Sequence, residues 1–361
     1  MLVLLSVLIL IGGALELYSI LDGVKHISFE SKAETEQAEQ GEPIKVIARA
    51  ANTGRMPVSY LCATVAYPAA AIFPEEIKIE KRQFVQNTDI IFKLKGRQQV
   101  TKSVNVYFQK RGVHFFKGAV LQRGDYLGFY QGSVPVELQQ RILIYPKKME
   151  NEDMLCKMGT FCGDMIARRH LLQDPILTMG IREYTGREPM KTISWTQSAR
   201  RGQLMVREFD YTRDLSCTVL FSVDGMDPTL ADSMDKCCSI VRTVCSELTA
   251  RNINVDFYTN GSLWGIKNRE SNIWGCTATQ GYDGELLRAL ALLLPSPARC
   301  SANHLAVNAV RASGHHTAYV VVAPARTTAV LQMLDVLKEA SVMDVLLVTA
   351  EDYPDEAEVS S

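Results

Sequence analysis

The sequence predicts an α+β multidomain protein with an N-terminal transmembrane helix, a β-sandwich and an α/β domain built on a doubly wound sheet. Three observations support this prediction. Residues 2–21 are almost entirely apolar, residues 27–146 carry short alternating runs separated by turns, and residues 214–350 alternate between strand and helix patterns. We expect residues 147–213 to be a linker with a signature segment and residues 351–361 to be an acidic tail.

The composition limits both architecture and function. A chain of 361 residues is too long for one ordinary hydrophobic core. Because 47% of the residues are hydrophobic and the formal net charge is −1, the chain is expected to be globular and to lack the overall basic field that favours nucleic-acid binding. The nine cysteines are odd in number and include no C-x-x-C pair, which predicts reduced core thiols in a cytosolic compartment.

The N-terminal apolar stretch predicts a membrane anchor. Its only charged residue is Glu16, and residues 2–21, at a rise of about 1.5 Å each, would cross a hydrocarbon layer of about 30 Å. A cleaved signal peptide is the alternative, but no basic segment precedes Leu2 and no clean cleavage site lies near Glu16. Basic residues follow the span, beginning at Lys25, so we expect a single-pass protein of the cell membrane with its soluble domains in the cytoplasm.

The stretch after the anchor predicts an immunoglobulin-like β-sandwich. Residues 43–49 alternate between apolar and polar side chains, and Asn52–Gly54 supplies a turn. Further short apolar runs follow at Ile90–Leu94 and Val104–Phe108. Several short strands with this spacing are typical of a sandwich, which is expected to act as a spacer or adhesion-type module without chemistry of its own.

The C-terminal half predicts a parallel, doubly wound α/β sheet. An apolar strand at Cys217–Val223 precedes a helix from about Thr229 to Arg251, whose apolar residues recur at intervals of three and four. A second apolar strand at Ala318–Val322, a helix at Thr327–Ala340 and a strand at Asp344–Val348 continue the rhythm. This alternation indicates βαβ units.

The segment that joins the two predicted domains carries a block of charged, aromatic and small residues. The residues that form the block are Arg182, Glu183, Tyr184, Gly186, Ile193, Trp195, Ser198, Ala199, Arg200, Gly202 and Leu204. With the aspartate-terminated strand that follows, it resembles the signature of the bacterial domain of unknown function 58 family. Two positions depart from the family pattern, because Arg187 and Ser194 stand where relatives commonly have aspartate.

The resemblance implies a von Willebrand factor A-like domain after the signature and a sandwich before it. Members of the family commonly carry two hydrophobic helices before the soluble part, whereas this chain shows one. They are often encoded beside MoxR-type AAA+ ATPases, so the resemblance implies a partner or adaptor of such an ATPase in the assembly of envelope complexes.

The joining segment also predicts a docking surface for a partner. Basic residues outnumber acidic ones between Ile166 and Arg207, although the whole protein is nearly neutral. The predicted docking residues are Arg182, Glu183, Tyr184, Trp195, Ser198, Arg200, Arg207 and Asp224. Arg182 or Arg200 is expected to stack on Trp195. The alternatives are a site for lipid headgroups or a nucleotide, and a solvated face with internal ion pairs.

A divalent-cation site is not predicted, although the resemblance raises the question. The family-like D-x-S-x-S motif would begin at Asp224, but Met226 and Pro228 offer no side-chain oxygen. Residues that could rebuild part of a site are Asp227, Thr279 and Asp283. We expect Asp224 to cap a loop or to pair with a nearby arginine.

These observations predict a non-enzymatic interaction or adaptor protein without a cofactor. Sequence motifs of nucleotide-binding loops, α/β-hydrolases and zinc proteases do not occur. The alternatives are a cation-dependent adhesion-type module and a membrane protein that binds lipids or polyanions.

Overall fold

The computed structural model describes most of the chain and divides it into two compact units, residues 1–147 and 148–361. The described residues are 6–7, 10–14, 25–74, 79–81, 85–124, 131–171, 178–209, 216–225, 231–266, 272–313, 317–341 and 344–353.

The first unit consists of strands. They are β1 Ile27–Ala33, β2 Gln37–Glu39, β3 Ile44–Asn52, β4 Val58–Pro68, β5 Ala71–Ile72, β6 Ile79–Lys81, β7 Val85–Leu94, β8 Gln99–Phe108, β9 Gly112–Phe116, β10 Gly118–Gly124, β11 Gln131–Val136 and β12 Gln140–Tyr145. The described strands form sheets in the orders β1-β3-β8-β5, β11-β10-β4-β7-β6 and β2-β12-β9. Nearly all neighbours are antiparallel, and β2 with β12 is a parallel pair.

The two larger sheets of the first unit share one hydrophobic core. Along β3, buried residues alternate with more exposed ones, because successive side chains of a strand point to opposite faces. The buried residues Val46 and Ala48 from one sheet join Leu61 and Phe92 from the other in a single cluster. Phe29 meets Phe92 edge to face, with ring centroids 6.2 Å apart. Two sheets packed in this way form a sandwich.

The second unit alternates helices and strands. Its elements are α1 Glu152–Leu171, β13 Thr178–Glu183, a 3₁₀ turn Met190–Thr192, α2 Trp195–Arg201, β14 Met205–Phe209, β15 Ser216–Phe221, α3 Ala231–Ala250, β16 Asn254–Thr259, β17 Ser262–Leu263, β18 Trp274–Ala278, α4 Gly284–Leu292, β19 Leu293–Leu294, α5 Ala302–Ser313, β20 Ala318–Ala323, α6 Thr328–Ala340, β21 Val345–Thr349 and a 3₁₀ turn Ala350–Asp352.

The main sheet of the second unit has the order β18-β16-β15-β20-β21 in its described strands. The pairs β16–β15, β15–β20 and β20–β21 are parallel, whereas β18 runs antiparallel to β16. One face packs on α5 and α6, where Leu220 and Val321 cluster with Leu305 and Met333. Helix α3 packs on the same strands, and its residues Val241 and Leu248 are fully buried. The central strands are covered on both sides, which explains their apolar sequences.

The structure corrects the predicted fold class. Strand residues outnumber helix residues in the described ranges, and no transmembrane helix is found among them. The sheet of the second unit is mixed and not parallel, because β18 returns antiparallel beside β16. The predicted fold class is therefore wrong in its transmembrane helix and in its parallel, doubly wound von Willebrand factor A-like domain, whereas the first unit is a β-sandwich.

The predicted membrane anchor and location are corrected too. Most of residues 2–21 lie outside the described residues, and the described parts, 6–7 and 10–14, are helical. In the part of the chain that the structure describes, no helix combines the length and the apolar character that crossing a bilayer requires. This finding overturns the single-pass anchor and, with it, the predicted placement in the cell membrane.

Candidate docking surface

The predicted docking residues other than Asp224 lie together in one small module of the second unit, residues 178–209. Strands β13 and β14 form an antiparallel pair at the two ends of this module. The 3₁₀ turn and α2 lie between them along the chain, and Ile193 forms a further bridge to Val206 on β14. Gly202 ends α2 in the left-handed region, with φ of 71°, and its amide donates to the Ser198 carbonyl. We call residues 178–209 the docking module.

Ser198 holds the docking module together and is buried. Its hydroxyl donates to the Ser194 carbonyl at 2.9 Å and accepts from the Met205 amide at 2.8 Å. The Ser194 amide donates to the Met205 carbonyl at 2.8 Å. These bonds tie the start of α2 to the start of β14. Ser198 therefore lies among the predicted docking residues but acts inside the module and not at its surface.

Arg182 and Glu188 fix the loop that follows β13. The Arg182 Nη1 donates to Glu188 Oε1 at 2.6 Å, and the Thr185 hydroxyl donates to the same oxygen at 2.7 Å. The Thr185 amide reaches Glu188 Oε2 at 3.1 Å. Hydrogen bonds from the Thr185 side chain and from Arg182 lower the pKa of Glu188 to about 2. Glu188 was not among the predicted site residues, although the spacing Thr185-x-x-Glu188 is that of a capping box and would have indicated it.

Glu183 and Tyr184 also contribute to the internal bonding of the docking module. Glu183 Oε1 accepts from Gln203 Nε2 at 2.6 Å. The Tyr184 amide donates to the Leu204 carbonyl at 2.9 Å, and the Tyr184 side chain is half-buried. Two of the acidic side chains of the docking module, those of Glu183 and Glu188, are thus engaged by donors within it.

The outer surface of the docking module combines exposed apolar and basic side chains. Met190 is 70% exposed, Trp195 61% and Leu204 44%. The basic residues Arg182, Arg187, Lys191, Arg200, Arg201 and Arg207 are also exposed, and the acidic residues are Glu183, Glu188 and Glu208. Met190 was not singled out in the sequence, and Leu204 was named in the signature block but not as a docking residue.

The predicted stacking of arginine on Trp195 is not found. Among the described residues, the cation–π pairs are Lys102 with Phe92 and Lys157 with Tyr353. Arg182 is directed to Glu188 instead, at 2.6 Å. The indole of Trp195 consequently presents its surface without a covering guanidinium group.

Asp224 lies elsewhere, at the carboxyl edge of the main sheet. Its Oδ2 accepts from the Ser222 hydroxyl at 3.3 Å and from Asn260 Nδ2 at 3.4 Å. Asn260 is fully buried, and its Oδ1 accepts from the Val223 amide at 2.9 Å. Within the described ranges, no hydrogen bond or ion pair links Asp224 to an arginine of the docking module. Asp224 therefore caps the loop after β15.

The strand register separates the residues considered for a cation site. Thr259, at the carboxyl end of β16, pairs with Trp274, whereas Val255, at its amino end, pairs with Ala278. Because β18 is antiparallel, Asp283 follows it at the edge opposite Asp224. The length of β18 alone separates the two edges by about 13 Å, at about 3.3 Å per residue. Thr279 lies at the same far edge as Asp283, and Asp227 is outside the described residues. A site that joins Asp224 to Thr279 and Asp283 is therefore not formed.

Comparisons with known proteins find one similar curated sequence, and no family model matches the chain. The sequence is uncharacterized protein YeaD from Bacillus subtilis (strain 168), which is 23% identical over 207 residues, 54% of this chain and 46% of that protein. The chain thus spans about half the length of the relative that it matches.

Solved structures with local similarity include two cohesins and a sporulation protein. The cohesin module of a family 33 glycoside hydrolase from Clostridium perfringens ATCC13124 is 13% identical and covers 32% of this chain and 96% of its own, with a TM-score of 0.24. A non-cellulosomal cohesin from Archaeoglobus fulgidus is 14% identical and covers 36% and 97%, with a TM-score of 0.22. Spo0M, a sporulation control protein from Bacillus subtilis, is 11% identical and covers 44% and 58%, with a TM-score of 0.21. TM-scores this low support no assignment of fold or function.

Proposed function

We propose that this protein is a non-enzymatic interaction protein, an adaptor whose docking module binds a partner protein. The observation that carries the proposal is the surface of that module, where Met190, Trp195 and Leu204 are exposed beside Arg200 and other basic side chains. Exposed tryptophan and arginine are the residues most often found at the energetic centre of protein interfaces. An indole that no guanidinium group of the described residues covers is free to enter a pocket of a partner.

The basic excess of the docking module favours an acidic partner surface. Residues 178–209 contain six basic residues and three acidic ones. The carboxylates of Glu183 and Glu188 already accept hydrogen bonds from donors within the docking module. Charge of one sign on an otherwise nearly neutral protein accelerates association with a surface of the opposite sign. By the resemblance of this segment to the domain of unknown function 58 signature, the proposed partner is a MoxR-type AAA+ ATPase and the proposed process is assembly of envelope complexes.

Binding of a lipid or another polyanion is the second candidate, because the same arginines would attract any polyanion. The exposed apolar side chains distinguish the two candidates. Binding that depends on charge alone falls steeply with salt, whereas apolar contacts persist when charges are screened. A cation-dependent adhesion module receives no support, because Asp224 and Asp283 lie at opposite edges of the sheet.

Binding of the full chain to a purified MoxR-type ATPase from the same organism tests the proposal, by biolayer interferometry at low and moderate salt with and without ATP. Trp195→Ala and Arg200→Glu should each weaken binding about tenfold or more, as expected for residues at the centre of an interface. Tyr282→Ala and Arg311→Glu are the matched controls, since both residues are exposed and lie outside the docking module. Equal binding by all four variants, with unchanged circular dichroism spectra, would show that the docking module is not part of the binding interface.

A further inference from the structure

Strand β13 has an unpaired outer edge. It pairs with β14 on one side, and in the described part of the chain no strand lies on its other side. Strand β14 has Ile193 bridged to it on its far side, so the open edge of the docking module is that of β13. A strand edge of this kind presents backbone donors and acceptors with which an extended peptide can pair.

The hydrogen bonds beside β13 show which backbone groups face outward. The Tyr184 amide donates to the Leu204 carbonyl at 2.9 Å, so these two residues form a hydrogen-bonded pair. Bonded and non-bonded pairs alternate along antiparallel strands, and the register pairs Arg182 with Val206 two residues further. Arg182 therefore uses its backbone groups toward β14.

The residues between the bonded pairs turn their backbone groups away from β14. Ile181 and Glu183 occupy these positions on β13. The matching groups of Met205 on β14 point the other way, which agrees with the bond from the Ser194 amide to the Met205 carbonyl at 2.8 Å. The outward groups of β13 are thus the N–H and C=O of Ile181 and of Glu183, and the Glu183 carbonyl already accepts a hydrogen bond from Arg182 Nη1 at 3.3 Å.

The side chains around this edge define the chemistry of an added strand. Ile181 is 38% exposed and shares a face with the exposed Arg207, its direct partner on β14. Arg182 projects to the opposite face and is also exposed. A peptide of alternating apolar and acidic residues along β13 would therefore place its apolar side chains on the face of Ile181 and its carboxylates on the opposite face, within reach of Arg182.

We propose that the β13 edge binds an extended acidic segment of the partner, in which carboxylates alternate with apolar residues, as an added strand. This inference rests on the proposed docking function and specifies what the docking module binds. A second copy of this chain is a less favourable occupant, because antiparallel pairing of two β13 edges around Arg182 would place like charges opposite each other.

A short, fluorescein-labelled peptide of alternating Val and Glu, capped at both ends, is the probe, and its binding to the full chain is measured by fluorescence anisotropy. Two N-methylated versions keep its charge and apolar content. One is methylated at every odd residue and the other at every even residue, so each blocks the N–H groups along one edge of the bound strand. We expect one of the two to bind about tenfold or more weakly than the other, because it loses several backbone hydrogen bonds.

Protein variants provide an independent test of the same edge. Ile181→Pro removes the outward N–H and leaves the β13–β14 ladder unchanged, because proline is tolerated on an edge where its missing donor faces away from the sheet. Ile181→Ala keeps the N–H and is the matched control. We expect Ile181→Pro to weaken binding of the unmethylated peptide about tenfold relative to Ile181→Ala.

Three results would overturn the inference. The first is the absence of peptide binding, and the second is equal binding of the two methylated peptides, which would indicate attraction by charge alone. The third is a dimer in analytical ultracentrifugation that the peptide dissociates and Ile181→Pro abolishes, which would assign the edge to a second copy. If the ATPase binds through Trp195 and Arg200 while the peptide test fails, the docking function stands and the strand addition does not. If the peptide binds along β13 while the ATPase does not bind, the β13 edge accepts a strand and the ATPase is not the partner.

Discussion

Replacing Ser198 with alanine tests the internal organisation of the docking module most directly. The hydroxyl accepts from the Met205 amide at 2.8 Å, and both residues are buried. Its removal leaves the Met205 N–H without this acceptor. The Ser194 carbonyl, by contrast, retains the amide of residue 198 as a donor at 2.9 Å. One buried donor is therefore unsatisfied in Ser198→Ala.

The free energy of this defect can be estimated from the single lost partner. A buried polar group without a hydrogen bond costs about 1–3 kcal/mol. Because the docking module is one part of a larger protein, this cost is expected to appear as easier local opening of β14 and not as a change in global unfolding. A change of about 1–3 kcal/mol in the opening free energy corresponds to amide exchange that is about 5- to 150-fold faster.

Hydrogen–deuterium exchange with mass spectrometry measures this effect in a peptide that covers β14, Met205–Phe209. Thr196→Ala is the control, since Thr196 is an exposed residue of the same helix and its loss should leave β14 unchanged. Unchanged exchange of β14 in Ser198→Ala would show that the hydroxyl does not hold α2 against β14. Slower binding of Ser198→Ala to the partner, with unchanged hydrogen exchange of β14, would instead indicate that Ser198 contacts the partner directly.

Three further predictions concern other parts of the second unit. In NMR spectra, the chemical shift of the Thr185 amide should follow the protonation of Glu188 with an apparent pKa of about 2, and this dependence should disappear in Glu188→Gln. The pKa of Glu188 is lowered from 4.5, mainly by the hydrogen bond from the Thr185 side chain. The stabilisation of the loop is therefore complete above pH 4.5 and is lost as the pH falls towards 2. Gly275→Ala should lower the melting temperature in differential scanning calorimetry, because a Cβ at this position would lie 2.4 Å from the Tyr258 ring, and overpacking of this kind costs about 1–3 kcal/mol. Asn260→Ala should destabilise the edge of the main sheet by about 2 kcal/mol or more in chemical denaturation, because the buried amide bonds three groups of neighbouring loops, whereas an unchanged midpoint would contradict this role.

The sequence located several elements of the second unit but not the direction of one strand. The apolar run Cys217–Val223 lies within two residues of β15 at each end, because a strand covered on both faces must be apolar throughout. The direction of β18 was missed. Parallel neighbours need a crossover that is usually helical, and no helix lies between β16 and β18 in the described residues, so the chain returns antiparallel. That distinction depends on the path of a loop, which hydrophobic periodicity does not record.

Two helices of the second unit were also missed or underestimated. The segment that forms α1, Glu152–Leu171, was expected to be part of a linker; its apolar residues are interrupted by Lys157, Gly159 and Gly163. Helix α5, Ala302–Ser313, was not predicted at all, although its buried residues Ala302, Leu305, Ala306 and Ala309 recur at helical spacing.

The docking residues show why a sequence signature is more informative about structure than about binding. Arg182, Glu183 and Ser198 belong to the predicted set, yet each makes side-chain hydrogen bonds within residues 178–209. The side chains of Trp195 and Arg200 are exposed and make no hydrogen bond among the described residues. On the proposed docking function, partner binding therefore depends on the second group, whereas the first group holds the docking module together. Loss of partner binding in Trp195→Ala and Arg200→Glu, with β14 exchange unchanged, would separate these two roles, and Ser198→Ala should show the opposite pattern.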